Sequence, residues 1–336
     1  MKIILFEVAK AEQDFFIKSL AGHEVVCYEE KLENENINLA KDAEAISVFV
    51  NSVIDQKIVD ALPNLKFIST RSTGFDHIDV KYCGTKNILV SNVPAYGSYT
   101  VAEFAFGLIL NLSRKIVLAN TKIREGNDFS IKSLCGFDLV GKNIGVIGTG
   151  KIGKNVIKIA KGFGMNVLAY DLYPDATFAQ EHGYEYKSLE EVLALSDVIT
   201  LHAPYTKENH HLINKEKFSL MKRGVYIVNT ARGELIDTDA LVWALGEGIV
   251  AGAGLDVLEG ERELKEEIEI LSSPEKANLV KNYKTLLEDR ALIEMPNVIV
   301  TPHVAFYSKE AEGEIVKTTI ENIQAFISNK PINLPK

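Results

Sequence analysis

A chain of 336 residues is longer than one hydrophobic core usually organises, so two domains are expected. Its composition, 46% apolar and 25% charged, is that of a compact globular protein and argues against long disordered binding tails. A formal net charge of −9 repels nucleic-acid phosphates and anionic lipid headgroups, and no locally basic stretch offsets it, so neither is expected as a partner.

The N-terminal run Ile3-Ile4-Leu5-Phe6 is followed at once by Glu7, which is too short for a secretion signal or a membrane span. Apolar runs rich in Ile, Val and Leu recur at 3–6, 46–50, 66–69, 143–147, 166–170, 197–201, 225–228 and 297–300. Runs of this length without alternation suit strands covered on both faces. Helical-period stretches lie between many of them, at 151–163, 188–195 and 238–245, the last carrying Trp243 as a core residue. Strand and helix in alternation predict an α/β protein of two doubly wound, Rossmann-like parallel-sheet domains with an active-site cleft between them. The stretch from Ser98 to Ile116 reads as one long helix, apolar nearly all round, that could bridge the two. A substrate domain of flavodoxin-like type is placed at 1–99 plus 299–336, because the chain returns through Thr301-Pro302-His303 and a last helix at about 309–327 rejoins it. The nucleotide-binding domain is placed at 100–298. The acidic, Lys-rich stretch 259–289 has no strand pattern and reads as a surface excursion with one or two helices, looping away from any site. The three cysteines, Cys27, Cys83 and Cys135, are scattered and outside metal or redox spacing, which fits a reducing cytoplasm, no disulfide and no metal.

The strongest local signal is Gly148-Thr149-Gly150-Lys151-Ile152-Gly153, directly after an apolar strand and opening a helix. In that context the first glycine permits the tight turn, the second lets backbone approach a pyrophosphate, and the third lets helix pack on strand. The next strand ends in Asp171, about where an acid binds ribose hydroxyls and repels a 2′-phosphate, so NAD is expected over NADP.

Hydride transfer to a ketone needs a cation for the substrate, a proton donor for its oxygen, and a partner tuning that donor. Histidine is the usual donor, and the chain has seven. His23 and His182 follow helices and read as solvated turns, and His77 with Asp79 reads as turn chemistry. The adjacent His210 and His211 should diverge on an extended backbone, which speaks against a metal site there. His202 and His303 each stand at a strand end, and the residues alone leave both open.

Gly148 to Gly153, Asn229-Thr230-Ala231-Arg232-Gly233, Gly254-Leu255-Asp256-Val257 and Thr301-Pro302-His303 together resemble the D-isomer-specific 2-hydroxyacid dehydrogenases over nearly the whole chain. Within that family the chain is most similar to the D-lactate dehydrogenases, through Arg71-Ser72-Thr73-Gly74-Phe75-Asp76-His77-Ile78-Asp79, Val93-Pro94-Ala95-Tyr96 and His303-Val304-Ala305-Phe306-Tyr307. The resemblance implies that Arg232 binds the substrate carboxylate and keto oxygen, a task for a planar guanidinium with paired donors. It implies that His303 is the acid/base and Glu261, five residues after Asp256, the carboxylate that favours its imidazolium form, with Glu259 as the alternative. It implies substrate contacts from the amides of Thr73 and Gly74 and from Tyr96 and Phe306. Ala203, Pro204, Asn209, Thr230, Ala231 and Asp256 match positions around the NAD. The implied activity is NADH-dependent reduction of pyruvate to D-lactate by a homodimer built through the NAD domain. A branched 2-keto acid is the alternative substrate, and an NADH-sensing, corepressor-like scaffold is the alternative of another class.

Overall fold

The computed structural model describes residues 1–94, 96–261, 264 and 283–335. Contacts divide it into two compact units, Met1–Tyr96 with Tyr307–Lys336, and Gly97–Phe306.

The first unit is built on β1 (Lys2–Leu5), α1 (Lys10–Ser19), β2 (Glu24–Cys27), β3 (Ala45–Val48), α2 (Gln56–Ala61), β4 (Phe67–Thr70), α3 (Val80–Thr85) and β5 (Leu89–Ser91). Its five strands are parallel in the order β2-β1-β3-β4-β5, a flavodoxin-like arrangement. The helices start where short acceptors allow: Asp55 caps α2 and Asp79 caps α3 by accepting Ile58 N–H and Tyr82 N–H. One sheet face presents Ile46, Val48 and Ile68 to Ile58 of α2, and the other packs against Phe16 of α1 and residues of the C-terminal helix introduced below.

The second unit runs α4 (Ser98–Arg114), α5 (Ile116–Gly126), β6 (Asn143–Ile147), α6 (Lys151–Gly162), β7 (Asn166–Tyr170), α7 (Ala176–His182), β8 (Glu185–Tyr186), α8 (Leu189–Leu195), β9 (Val198–Leu201), α9 (Lys215–Ser219), β10 (Val225–Asn229), α10 (Thr238–Gly246), β11 (Val250–Leu255), α11 (Tyr283–Glu294) and β12 (Val298–Val300). Seven parallel strands lie in the order β12-β11-β10-β9-β6-β7-β8, so the order reverses at β6. That reversal is where open α/β sheets hold their ligands. The last helix, α12 (Lys309–Ile327), belongs to the first unit and seats Val316, Ile320 and Ile323 on Ile3, Leu5 and Phe67.

Three expectations differ from what is observed. The second division falls at 306/307 rather than 298/299, because β12 pairs with β11 and so belongs to the larger sheet. The helix expected from Ser98 to Ile116 stops at Arg114, where Lys115 turns left-handed at φ 53°, and α5 then continues separately. Of the stretch 259–289, residues 262–263 and 265–282 lie outside the described residues. Its last part forms the start of α11, whose buried Thr285, Leu286, Asp289 and Leu292 show a packed rather than a solvated helix.

Candidate active site

Except for Asn209, which ends a 3₁₀ turn at Lys207–Asn209, the site residues named from sequence in the larger unit follow the C-terminal end of a strand or open the loop or helix after one. Gly148 follows β6, Asp171 follows β7, Ala203 and Pro204 follow β9 by one residue, Thr230 to Arg232 follow β10, Asp256 follows β11, and Thr301 to His303 follow β12. Parallel strands bring those ends to one edge, so residues far apart in sequence are gathered by topology alone.

At the fingerprint the backbone has the shape a dinucleotide needs. Gly148 sits at φ 91°, and a side chain on Gly153 would collide with the Gly148 carbonyl oxygen. Gly150, by contrast, faces open space, with no atom within 4 Å of where a Cβ would stand. It also begins α6 without any side-chain cap, leaving that helix's first amides for an acceptor from outside. The carboxylate of Asp171 accepts from Thr149 N at 2.5 Å and Thr149 Oγ1 at 2.9 Å, which pins it beside the same turn. Thr230 keeps a buried hydroxyl with no partner among the described residues, whereas Ala231 N–H is taken by Asn229 Oδ1 at 3.0 Å. Asn209 closes its own loop by donating to Pro204 O at 2.8 Å. Open backbone, uncapped amides and an orphaned hydroxyl fit NAD, whose nicotinamide supplies or accepts hydride when bound.

The acid/base candidates separate on geometry. His303 Nδ1 lies 3.0 Å from Glu261 Oε2, and the other ring nitrogen has no partner among the described residues while the side chain is 37% exposed. The ring is held in place from below. His303 has φ 53°, and its N–H donates to the carbonyls of Asp256 and Thr301 at 2.9 Å. Asp256 also accepts from Thr301 Oγ1 (2.6 Å), Val304 N (2.9 Å) and Ala305 N (2.8 Å), so its carboxylate clamps the loop that carries His303. Burial raises the pKa of Asp256 in spite of those donors. Phe306 stands edge-on to His303, with ring centroids 6.5 Å apart.

His202 behaves in the opposite way. It is buried, its Nε2 lies 2.8 Å from Thr200 Oγ1, and burial pushes its pKa down to about 3. A histidine that stays neutral and out of solvent is no proton donor.

Glu259 and Glu261 also separate. Glu259 turns to His211 Nε2 at 2.9 Å and accepts from Thr238 Oγ1 at 2.9 Å, so Glu261 alone of the two meets His303. Glu261 is steadied by Leu258 N–H at 3.1 Å, and the amide of Gly260 between the two acids donates to Asp289 on α11 at 2.9 Å. Arg232 donates to Ala231 O at 2.7 Å, and Asn229 Nδ2 holds the Arg232 carbonyl at 2.8 Å. Beside it Glu234 is pushed up in pKa, first by burial and then by Glu261 and Glu259, against the pull of Arg232.

Thr73, Gly74 and Tyr96 lie in the first unit. Thr73 Oγ1 donates to Val93 O at 2.8 Å and Asn92 Nδ2 holds Thr73 O at 2.8 Å. Neither Thr73 N–H nor Gly74 N–H has a protein acceptor among the described residues.

Residues 106–305 match the family model for the NAD-binding domain of D-isomer-specific 2-hydroxyacid dehydrogenases. The chain belongs to that family. A D-lactate dehydrogenase of Aquifex aeolicus, solved complexed with NAD and lactic acid, matches at TM-score 0.86 and 39% identity, over 98% of this chain and 96% of that one. The D-lactate dehydrogenase of Escherichia coli K12 is 38% identical over 327 residues, 96% of each chain. An aromatic 2-oxoacid reductase of Clostridium sporogenes is also 38% identical, over 331 residues, 97% of this chain and 96% of that one. This 2-hydroxyacid dehydrogenase is therefore an oxidoreductase that uses NAD.

Three features of the dehydrogenase were not foreseen. His210 and His211 do not diverge: their rings stack with centroids 3.8 Å apart, because His211 takes φ 53°. His182 is not a solvated turn either, since it stacks on Phe178 at 4.0 Å. The tie from Asp289 to Gly260 had no sequence signal, an isolated acid on an amphipathic stretch being indistinguishable from a surface residue.

Proposed function

We propose that this dehydrogenase reduces pyruvate to D-lactate with NADH. The observation that carries the reading is the His303–Glu261 pair, 3.0 Å apart with the second imidazole nitrogen open, on the strand-end edge of an NAD-binding sheet. Arg232 takes the substrate carboxylate and keto oxygen, and the amides of Thr73 and Gly74 supply further donors to the carboxylate. His303 gives a proton to the keto oxygen as it becomes an alkoxide, and Glu261 stabilises the imidazolium before transfer. Asp256 keeps the His303 loop in place. Tyr96 and Phe306 limit the acyl group. Around the cofactor, Gly148 to Gly153 receive the pyrophosphate, Asp171 the adenosine ribose, and Ala203, Pro204, Asn209, Thr230, Ala231 and Asp256 the remainder. Pyruvate is favoured by the lactate-specific names among its relatives, and an aromatic 2-oxo acid is the second substrate class, favoured by a relative of equal identity. The enzyme works as a homodimer through its NAD-binding unit, in the cytoplasm. No described helix is long and apolar enough to cross a membrane.

The test is steady-state NADH oxidation with pyruvate, 2-ketoisocaproate, phenylpyruvate and phosphohydroxypyruvate, with chiral analysis of the product. Highest kcat/KM on pyruvate, D-lactate as product, and a loss of about 10²–10⁴-fold in His303→Ala are expected. A higher kcat/KM on phenylpyruvate would replace the substrate, and tight NADH binding without turnover of any of the four would replace the activity by a sensing role.

A further inference from the structure

His211 is not glycine, yet its φ is 53°. Non-glycine residues hold that conformation only where the surroundings impose it, and such sites are often functional. Here its N–H is tied to Glu234 O at 2.9 Å, and the chemical result is convergence. Consecutive side chains that would point apart on extended backbone instead stack, 3.8 Å between ring centroids and 23° from parallel. From a distant loop, Glu259 brings Oε1 to 2.9 Å from His211 Nε2, with its other oxygen fixed by Thr238. One ligating atom from each of His210, His211 and Glu259 then lies within 4.8 Å of the other two. Asp237 adds a carboxylate 3.9 Å from His211 Nδ1.

We propose that His210, His211 and Glu259 bind a divalent transition metal of the zinc type, with water completing its shell. Two imidazoles and one carboxylate are a borderline donor set, suited to zinc and poorly suited to calcium or magnesium, which take oxygen shells. The dimensions fit. Bonds of about 2.0–2.2 Å at tetrahedral angles put ligand atoms about 3.4 Å apart, so atoms now within 4.8 Å must close by at most about 1.4 Å, and the His211–Glu259 pair must open by about half an ångström. His210 is exposed and can swing without disturbing a core. The ion replaces the proton shared between His211 and Glu259. His211 Nδ1–H then faces Asp237, the carboxylate–histidine–metal arrangement that orients ligating imidazoles elsewhere. Asp237 makes the surroundings negative, which favours a cation. The site is separate from the catalytic pair, since Glu261 and His303 contribute nothing to it.

The experiment uses full-length enzyme without a histidine tag, stripped with a chelator and titrated with Zn²⁺ by calorimetry, with Co²⁺ as a spectroscopic stand-in. Expected are one Zn²⁺ per chain, visible d–d absorption of tetrahedral intensity with Co²⁺, and at least tenfold weaker binding in His210→Ala and in Glu259→Gln. Cys135→Ser, which removes the exposed thiol, should bind as the parent does. Melting temperatures measured without metal establish that the variants are folded. Absence of stoichiometric binding in the parent overturns the proposal. So does binding that survives both His210→Ala and Glu259→Gln, or that disappears in Cys135→Ser.

Discussion

His202 and His303 each stand within three residues of a strand end, and no pattern in the flanking residues tells them apart. What separates them is exposure, which depends on loops from elsewhere in the chain. His202 is closed in beside Thr200, while His303 turns outward on a left-handed backbone that Asp256 holds. The burial of His202 has a thermodynamic consequence. Its ordinary pKa of 6.5 is pushed down to about 3 in the folded protein, so between those values the unfolded chain binds a proton that the folded chain refuses. Stability therefore falls as pH is lowered from about 6.5 towards 3, by about 1.4 kcal/mol per pH unit from this residue. His202→Gln is expected to lose about 2 kcal/mol less than the parent between pH 7.5 and pH 5.0, measured by urea unfolding at both values. Its pH–rate profile should keep the parent's shape; a displaced acid limb would put His202 back among the proton donors.

At the level of elements, eight strands were legible as apolar runs; the short β2, β5 and β8 were not, and neither was β11. Its sequence, Val250-Ala251-Gly252-Ala253-Gly254-Leu255, has a single β-branched residue where a strand usually carries several. The small residues answer close neighbours: a Cβ on Gly254 would come to 3.0 Å from Leu108 Cβ on α4, and one on Gly252 to 2.8 Å from the Asn297 carbonyl oxygen, with Leu112 of α4 at 3.3 Å. The same α4 explains why its length was overread, since the apolar pattern runs on into α5 and only the left-handed Lys115 divides them. Another close approach governs the active-site edge. Gly233, directly after Arg232, packs so tightly on the following loop that a Cβ would collide with the backbone of Leu258 and Glu259. Both sides of that contact are main chain, so neither can swing aside. Gly233→Ala is expected to cost about 1–3 kcal/mol of stability, seen as a lower melting temperature, and to reduce kcat/KM more than KM for NADH changes. A variant of parental stability and activity would mean that the Arg232 loop is not held against the 258–261 loop.

At the scale of the molecule, two parallel-sheet units, the nucleotide fingerprint and the strand-end edge could all be read from the order of runs and glycines. The surface could not, because exposure of an apolar residue is decided by what packs on it. Helix α5 buries none of its residues, and Ile116, Val117 and Ile123 are exposed on it. Past its end Phe129 is 81% and Ile131 87% exposed. Apolar surface of this kind on a globular chain marks an interaction face. If it is the dimer face, light scattering gives a dimer mass for the parent and a monomer mass for a Phe129→Ser, Ile131→Asp double variant; a parent that is already monomeric removes the proposed homodimer.

The segment Glu259-Gly260-Glu261 presents two identical acids two residues apart, and two histidines, His211 and His303, wait to receive them. Chemistry alone does not say which acid belongs to which ring: a small slip of the loop could offer the wrong carboxylate to either. The assignment is made by the residue between them, whose amide is anchored to Asp289, a fully buried carboxylate on a helix that begins more than twenty residues later. Asp289 thus acts as a registration mark, resolving an ambiguity that the local sequence leaves degenerate. The pairing of His303 with Glu261 is fixed in part through the backbone amide that stands between the two acids.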